Sequence, residues 1–156
     1  MSDNGFDPMS VDDLRNSEPF VIKNREKIVG KKITCYETDI GNKKEITEIL
    51  QNEKPVGVIH FAADKAVNES VLNPMKYYQN NVLNLINFLE VIENTKIDSF
   101  VFSSSCTIYG VTDKIPVKEK AHIKLAFSPY GYTKTVGEWV LTDFFKTKPN
   151  AYLTLI

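Results

Sequence analysis

Short apolar runs alternate with longer stretches whose apolar residues recur every three or four positions, and this alternation restricts the chain to one kind of architecture. Lys32–Glu37 reads as a strand, followed by a turn at Asp39–Asn42. Asn42 has Glu45 three residues on, a capping-box variant, and the helix it starts carries Ile46, Ile49 and Leu50 on one side. Pro55–Phe61 is the next strand, and its unbroken apolar character predicts burial on both faces. Tyr77, Tyr78, Val82, Leu85, Ile86 and Leu89 then recur at helical spacing, which predicts a helix from Pro74 to about Glu93. A strand over Asp98–Ser103, a long loop to Phe127, a helix ending near Lys146 and a strand over Ala151–Ile156 complete the order. Strand, helix, strand, helix implies right-handed crossovers, hence an α/β fold with a parallel sheet and helices on both faces.

Composition removes several function classes. A chain of 156 residues, 42% apolar, is one domain's worth and can bury a real core. Its 19 Lys and Arg balance 20 Asp and Glu, and no basic stripe is present, so nucleic acid is not expected as a partner. No apolar run is long enough to span a bilayer and no signal pattern opens the chain, so a cytoplasmic protein is expected. Cys35 and Cys106 lie far apart with no Cys-x-x-Cys pair, which indicates neither a metal site nor a disulfide framework.

The segment with the clearest chemistry is Ser128-Pro-Tyr-Gly-Tyr-Thr-Lys134. Ser128 is a good N-cap and Pro129 suits the first helical position, so Tyr130 and Lys134, four residues apart, project from one helical face. A phenol is a poor base near neutral pH unless a nearby cation stabilises the phenolate, and Lys134 can be that cation. Tyr-x-x-x-Lys alone is common on helix surfaces. Here, however, the apolar run Phe100-Val-Phe102 leads directly into Ser103-Ser104-Ser105-Cys106-Thr107, and in an open parallel sheet ligands sit beyond the carboxyl ends of strands. Those hydroxyls are well placed to bond a substrate or relay a proton.

These motifs carry a resemblance. His60-Phe-Ala-Ala-Asp-Lys-Ala-Val67, Glu69-Ser70-Val71, Pro74, Tyr77-Tyr78, Asn80-Asn81-Val82, Phe102-Ser-Ser-Ser-Cys-Thr-Ile-Tyr-Gly110 and Pro129-Tyr-Gly-Tyr-Thr-Lys134 together resemble the UDP-glucose 4-epimerases. Those enzymes belong to the extended short-chain dehydrogenase/reductase family. The match runs in register over most of the chain, including the 25-residue step from Ser105 to Tyr130. Related sugar-nucleotide dehydratases usually carry an acid just after the corresponding strand, whereas Ser105-Cys106-Thr107 has none. Lys65-Ala-Val-x-Glu-Ser70 with Pro74 and Tyr77-Tyr78 is also typical of the UDP-galactose/UDP-glucose epimerases.

The resemblance implies a Rossmann-like NAD-binding domain, NAD as transient hydride acceptor and a UDP-hexose substrate. Tyr130 would take the proton of the sugar 4-hydroxyl, Ser105 would bridge that transfer, and Lys134 would stabilise the phenolate and bond the nicotinamide ribose. Asp12, Asp13, Asn16 and Ser17 match an Asp-Asn-Leu-x-Asn-Ser segment, in which Asp12 would hold the adenosine ribose hydroxyls and favour NAD over its phosphate. Asp39 and Ile40 correspond to adenine-side contacts. Phe61, Ala62, Ala63 and Lys65 correspond to a loop crossing the pyrophosphate and nicotinamide ribose, with Asn80 from the next helix. Lys65, Ser105 and Tyr130 would also meet the substrate.

The chain also departs from that pattern. No Gly-x-x-Gly-x-x-Gly fingerprint is present, and Asn4-Gly5 aligns with the end of the family's first helix. Residues 1–156 therefore read as a partial dinucleotide-binding domain, ending at Ile156 before the family's nucleotide-sugar pocket. Asp7–Val11 occupies the expected second strand although Pro8 lacks the N–H a ladder needs. Asp64 stands where an aliphatic residue is usual, and it is expected to weaken the pull of Lys65 on phosphate. The expectation is a chain that alone binds NAD weakly or not at all and turns over no substrate. Two alternatives stay open: a non-catalytic interaction protein, dimerising through the helices that contain Asn80 and Tyr130, and a different NAD-dependent nucleotide-sugar epimerase, including one for UDP-N-acetylglucosamine.

Overall fold

The computed structural model describes residues 4–18, 20–112 and 115–156. Among the described residues five parallel strands form two sheets. β1 (Ser10–Asp12) pairs with β2 (Cys35–Glu37), and β3 (Gly57–His60), β4 (Ser99–Phe102) and β5 (Tyr152–Leu155) pair in the order β3-β4-β5. Among the described residues no ladder joins the two sheets. Every strand is shorter than the stretch the sequence suggests for it. β1 begins only after Pro8, with Ser10 N–H bonding Thr34 O at 2.9 Å, so the proline lies outside the ladder and its missing N–H costs nothing there.

The helices are α1 (Phe20–Val29), α2 (Lys43–Glu53), α3 (Val67–Leu72), α4 (Pro74–Tyr78), α5 (Asn84–Ile92) and α6 (Pro129–Lys146). The expected caps are in place. Asn42 accepts from the Glu45 N–H at 3.4 Å to start α2, and Ser128 Oγ accepts from the Gly131 N–H at 3.1 Å to start α6. α1 and α3 have no counterpart in the apolar periodicity. α1 buries no residue, with Phe20 and Ile28 59% and 86% exposed, and its one clear signal is Gly30, which ends it at φ 74°.

The predicted helix from Pro74 to Glu93 has the right extent but is interrupted. A π-helical turn, Gln79–Leu83, joins α4 to α5. Tyr77, Leu85 and Leu89 are buried as expected, but the slot between the first two goes to a polar residue, Asn81, while Tyr78, Val82 and Ile86 are half-buried.

The core lies on one face of the three-stranded sheet. Phe100 and Phe102 of β4 meet Leu85, Phe88, Leu89 and Ile92 of α5, Leu141 and Phe145 of α6, and Ile46, Ile49 and Leu50 of α2. Gly137 lets α6 lie close, because a Cβ there would stand 2.8 Å from Phe102 Cζ. The opposite face is open: Ile59 is 39% and Tyr152 74% exposed. This corrects the expectation that β3 is buried on both faces and that helices cover both sides of the sheet. Physically, β3, β4 and β5 run in one direction of strand order, so two right-handed crossovers bring α5 and α6 to the same side. Among the described residues no helix is long and apolar enough to cross a membrane.

Candidate active site

The loops that follow β1, β3 and β4 all leave the carboxyl ends of parallel strands, and the residues singled out above gather there in two groups. The first surrounds β4 and the start of α6. Ser105 caps a 3-10 turn, Cys106–Tyr109, and its Oγ accepts from the Thr107 N–H at 3.3 Å and the Thr107 hydroxyl at 2.9 Å. These two contacts with Thr107 tie the Ser105 hydroxyl to the turn at the end of β4. Gly131, next to Tyr130, rests on this turn: a Cβ there would lie 3.3 Å from Thr107 Oγ1. Tyr130 itself is half-buried.

Lys134 is 4% exposed, and its ammonium donates to Ser103 O at 2.7 Å and lies 4.9 Å from the centroid of the Phe102 ring. Burial pushes it down from 10.5 to about 8. Glu138, one turn further along α6, is buried and accepts from the Ser104 hydroxyl, so both serines before Ser105 are tied to α6. No hydrogen bond joins Ser105, Tyr130 and Lys134 directly; Thr107, Ser103 and the backbone hold them in one place. Glu138 was not anticipated, although it lies at i+4 from Lys134, a spacing that marks it as sharing that face.

The second group links the loops after β1 and β3. Asp12 Oδ1 accepts from the Leu14 N–H at 3.0 Å, with Leu14 at φ 55°, and Asp13 accepts from the Arg15 N–H at 3.2 Å. Asn16 turns inward and donates to Asp64 Oδ1 at 3.2 Å, and Ser17 Oγ is buried with no partner. In the loop after β3, Phe61, Ala62 and Lys65 are exposed and Ala63 is half-buried. Asp64 does not face Lys65. It is 3% exposed, and Arg15 reaches it at 3.2 Å, so the expected competition with Lys65 is replaced by an internal ion pair.

Asn81 ties the two groups together. Its Oδ1 accepts from the Asp64 N–H at 2.8 Å and from Asn80 at 2.9 Å, while its Nδ2 donates to Asp64 O at 2.9 Å and Thr133 Oγ1 at 3.1 Å. Thr133 in turn donates to Tyr130 O at 2.7 Å. Asp39 and Ile40 stand apart, beyond β2. Asp39 Oδ1 accepts from the Gly41 N–H at 2.7 Å and Asn84 Nδ2 at 2.8 Å, a turn-forming role that leaves its other oxygen unengaged. The orphaned Ser17 hydroxyl and the exposed Phe61, Ala62 and Lys65 fit a polyhydroxylated, anionic group lying across the strand ends.

A family model described as GDP-mannose 4,6 dehydratase matches residues 5–156. The UDP-glucose 4-epimerase of Dictyostelium discoideum is 39% identical over 146 residues, covering 94% of this chain and 42% of the relative. Among solved structures, the UDP-glucose 4-epimerase from Bifidobacterium longum in complex with NAD+ and UDP superposes with a TM-score of 0.93 at 33% identity, covering 97% of this chain and 45% of that one. The enzyme from Stenotrophomonas maltophila, with bound NAD and formylated UDP-arabinopyranose, gives 0.92 at 32% identity over 99% of this chain and 46% of that one. The chain thus spans somewhat under half the length of the relatives it matches.

Proposed function

The chain belongs to the family described by the GDP-mannose 4,6 dehydratase model, and within it we propose the chemistry of the epimerase relatives: interconversion of UDP-galactose and UDP-glucose through a 4-keto sugar, with NAD as cofactor, in cytoplasmic galactose metabolism. The observation that carries this reading is the content of the strand end. Tyr130, Lys134 and Ser105 stand beyond β4, Ser105-Cys106-Thr107 carries no carboxylate, and Glu138 directs one oxygen to the Ser104 hydroxyl. Dehydration needs an acid to expel water; epimerisation does not.

NAD, when bound, supplies the site that accepts and returns a hydride. The chain's own groups do the rest. Tyr130 takes the proton from the sugar 4-hydroxyl, and Ser105, held on its turn by Thr107, bridges that transfer by hydrogen bonding. Lys134 spends one of its three donors on Ser103 O and keeps two for the phenolate and a ribose hydroxyl. On the cofactor side, Asp12, Asp13, Asn16 and Ser17 hold the adenosine ribose, Asp39 and Ile40 flank the adenine, and Phe61, Ala62, Ala63, Lys65 and Asn80 follow the pyrophosphate and second ribose. Lys65 also meets the substrate. Without a Gly-x-x-Gly-x-x-Gly fingerprint to approach the pyrophosphate, the polypeptide of residues 1–156 on its own binds NAD weakly or not at all and is inactive. Tight NAD binding by calorimetric titration would contradict this.

The chemistry is tested apart from that limitation by a chimera in which residues 5–156 replace the matching segment of the Dictyostelium relative. It should interconvert UDP-galactose and UDP-glucose, and Tyr130→Phe in the chimera should lower the rate at least about 10²-fold. An active Tyr130→Phe chimera would remove Tyr130 from the mechanism.

A dimer through the helices that contain Asn80 and Tyr130, the run from α4 through α5 and α6, is part of the proposal. Leu83 and Trp139 are 50% and 58% exposed, and a concavity of about 170 Å³ is lined by Ile86, Leu89, Glu90, Glu93, Val140 and Phe144. Light scattering should give twice the monomer mass; a monomer at every concentration would refute it.

A further inference from the structure

Arg15 is the one cation in the loop that follows β1, and it is held by carboxylates on two sides. Its Nε lies 3.3 Å from Asp13 Oδ2 and its Nη2 3.2 Å from Asp64 Oδ1. The Arg15 side chain is 40% exposed, whereas that of Asp64 is 2% exposed. Asp64 is fixed from behind, since both its N–H and its C=O are bonded by Asn81 at 2.8 and 2.9 Å. Its Oδ1 takes Arg15 and Asn16 together, and its Oδ2 is buried with no partner. A carboxylate left half-satisfied in the interior is costly, and here it draws a guanidinium inward.

In dinucleotide folds the loop after this strand reads the substituent on the adenosine ribose: an acid bonds the 2′-hydroxyl, whereas a nearby arginine accepts a 2′-phosphate. This chain carries both kinds of residue, Asp12 and Arg15, three positions apart. We infer that Asp64 is a specificity-positioning residue: by withdrawing Arg15 from the ribose edge, it makes the site reject nucleotides with a 2′-phosphate. Asp13 supports it from the exposed side. The inference rests on the dinucleotide reading above and adds to it the reason why an arginine in this loop does not reverse the preference set by Asp12.

The test is an NMR titration of the 156-residue protein with two probes that differ only by the phosphate in question, adenosine 5′-monophosphate and adenosine 2′,5′-bisphosphate. Asp64→Asn keeps the shape and the backbone bonds to Asn81 while removing the charge. It should raise affinity for the bisphosphate relative to the monophosphate by about tenfold, the scale of one charge-assisted contact to phosphate. Asp64→Asn combined with Arg15→Gln should lose that gain. If the gain persists in the double variant, it reflects loss of a negative charge alone and the inference fails. Asp13→Asn, at a more exposed position, gives a second route should Asp64→Asn fail to fold, with a smaller shift in the same direction; no shift there would also count against it. Monophosphate that perturbs no amide in residues 12–17, either of this protein or of the chimera described above, would sink the dinucleotide reading and this inference together. Monophosphate that binds there with an unchanged ratio in both single variants would sink the inference alone.

Discussion

Lys134→Met separates what the buried ammonium does for the chemistry from what it does to the fold. In the folded chain burial lowers Lys134 from 10.5 to about 8. Between those values the unfolded chain binds more protons than the folded one, so stability rises as pH climbs from 8 to 10.5, and the cost of burying the charge is fully present below 8. At 1.36 kcal/mol per pH unit the rise amounts to roughly 3 kcal/mol. Methionine fills the same volume without a charge. It gives up the bond to Ser103 O, which leaves a carbonyl unpaired at a cost of about 1–3 kcal/mol, and the contact with the Phe102 ring, worth about 1 kcal/mol. These terms nearly cancel near neutral pH, so the two proteins should unfold within ~1 kcal/mol of each other at pH 7. At pH 10.5 the parent should lead by a further ~3 kcal/mol. Urea unfolding followed by the fluorescence of the single tryptophan, Trp139, from pH 7 to 10.5 measures the difference, and tyrosine titration cancels because both proteins share it. A difference that stays constant within about 0.5 kcal/mol across that range would refute the burial argument.

Two further perturbations probe the surroundings. Asn81→Leu leaves the Asp64 N–H and C=O without partners in a buried place, which should cost about 2–4 kcal/mol and lower the melting temperature by roughly 5–15 °C; calorimetry showing less than about 2 °C would mean that water replaces the side chain. His60 is pushed down from 6.5 to about 4, by burial first and the Lys134 charge second, so stability should be lost as pH falls from 6.5 to 4, by up to roughly 3 kcal/mol. His60→Phe, which keeps a ring against Phe102 at the present 5.7 Å centroid spacing, should lack that part of the acid sensitivity; equal acid dependence in both proteins would exclude His60 as its source.

The parts of the fold that were legible in the sequence are those dictated by local chemistry. Ser128 and Pro129 mark the start of α6 because a hydroxyl and a preset φ are what a helix N-terminus needs, and Asn42 does the same for α2. The placing of Ser103–Ser105 at the carboxyl end of β4 followed from the serine run at the end of an apolar strand. What was not legible depends on partners distant in sequence. Nothing around Asp64 says that it turns toward Arg15, 49 residues away, rather than toward Lys65 beside it. Likewise, the apolar run of β3 suggested two covered faces, but which face a helix covers depends on crossover direction, which a run of Val and Ile does not record. α1 escaped notice because it buries nothing, so no periodicity marks it.

The π-helical turn at Gln79–Leu83 has a consequence for how this helix can vary. In a regular α-helix each step of four residues overshoots a full turn by about 40°, so a stripe at Tyr77, Asn81, Leu85 and Leu89 would wind off its face. The wider turn absorbs that overshoot, which keeps Asn81 aimed at Asp64 while Leu85 and Leu89 still enter the core. The two ends of the helix therefore have independent phases. Removing one residue within the turn would rotate the polar end relative to the apolar end by about a quarter turn, while leaving every side chain of the core end in register with the sheet.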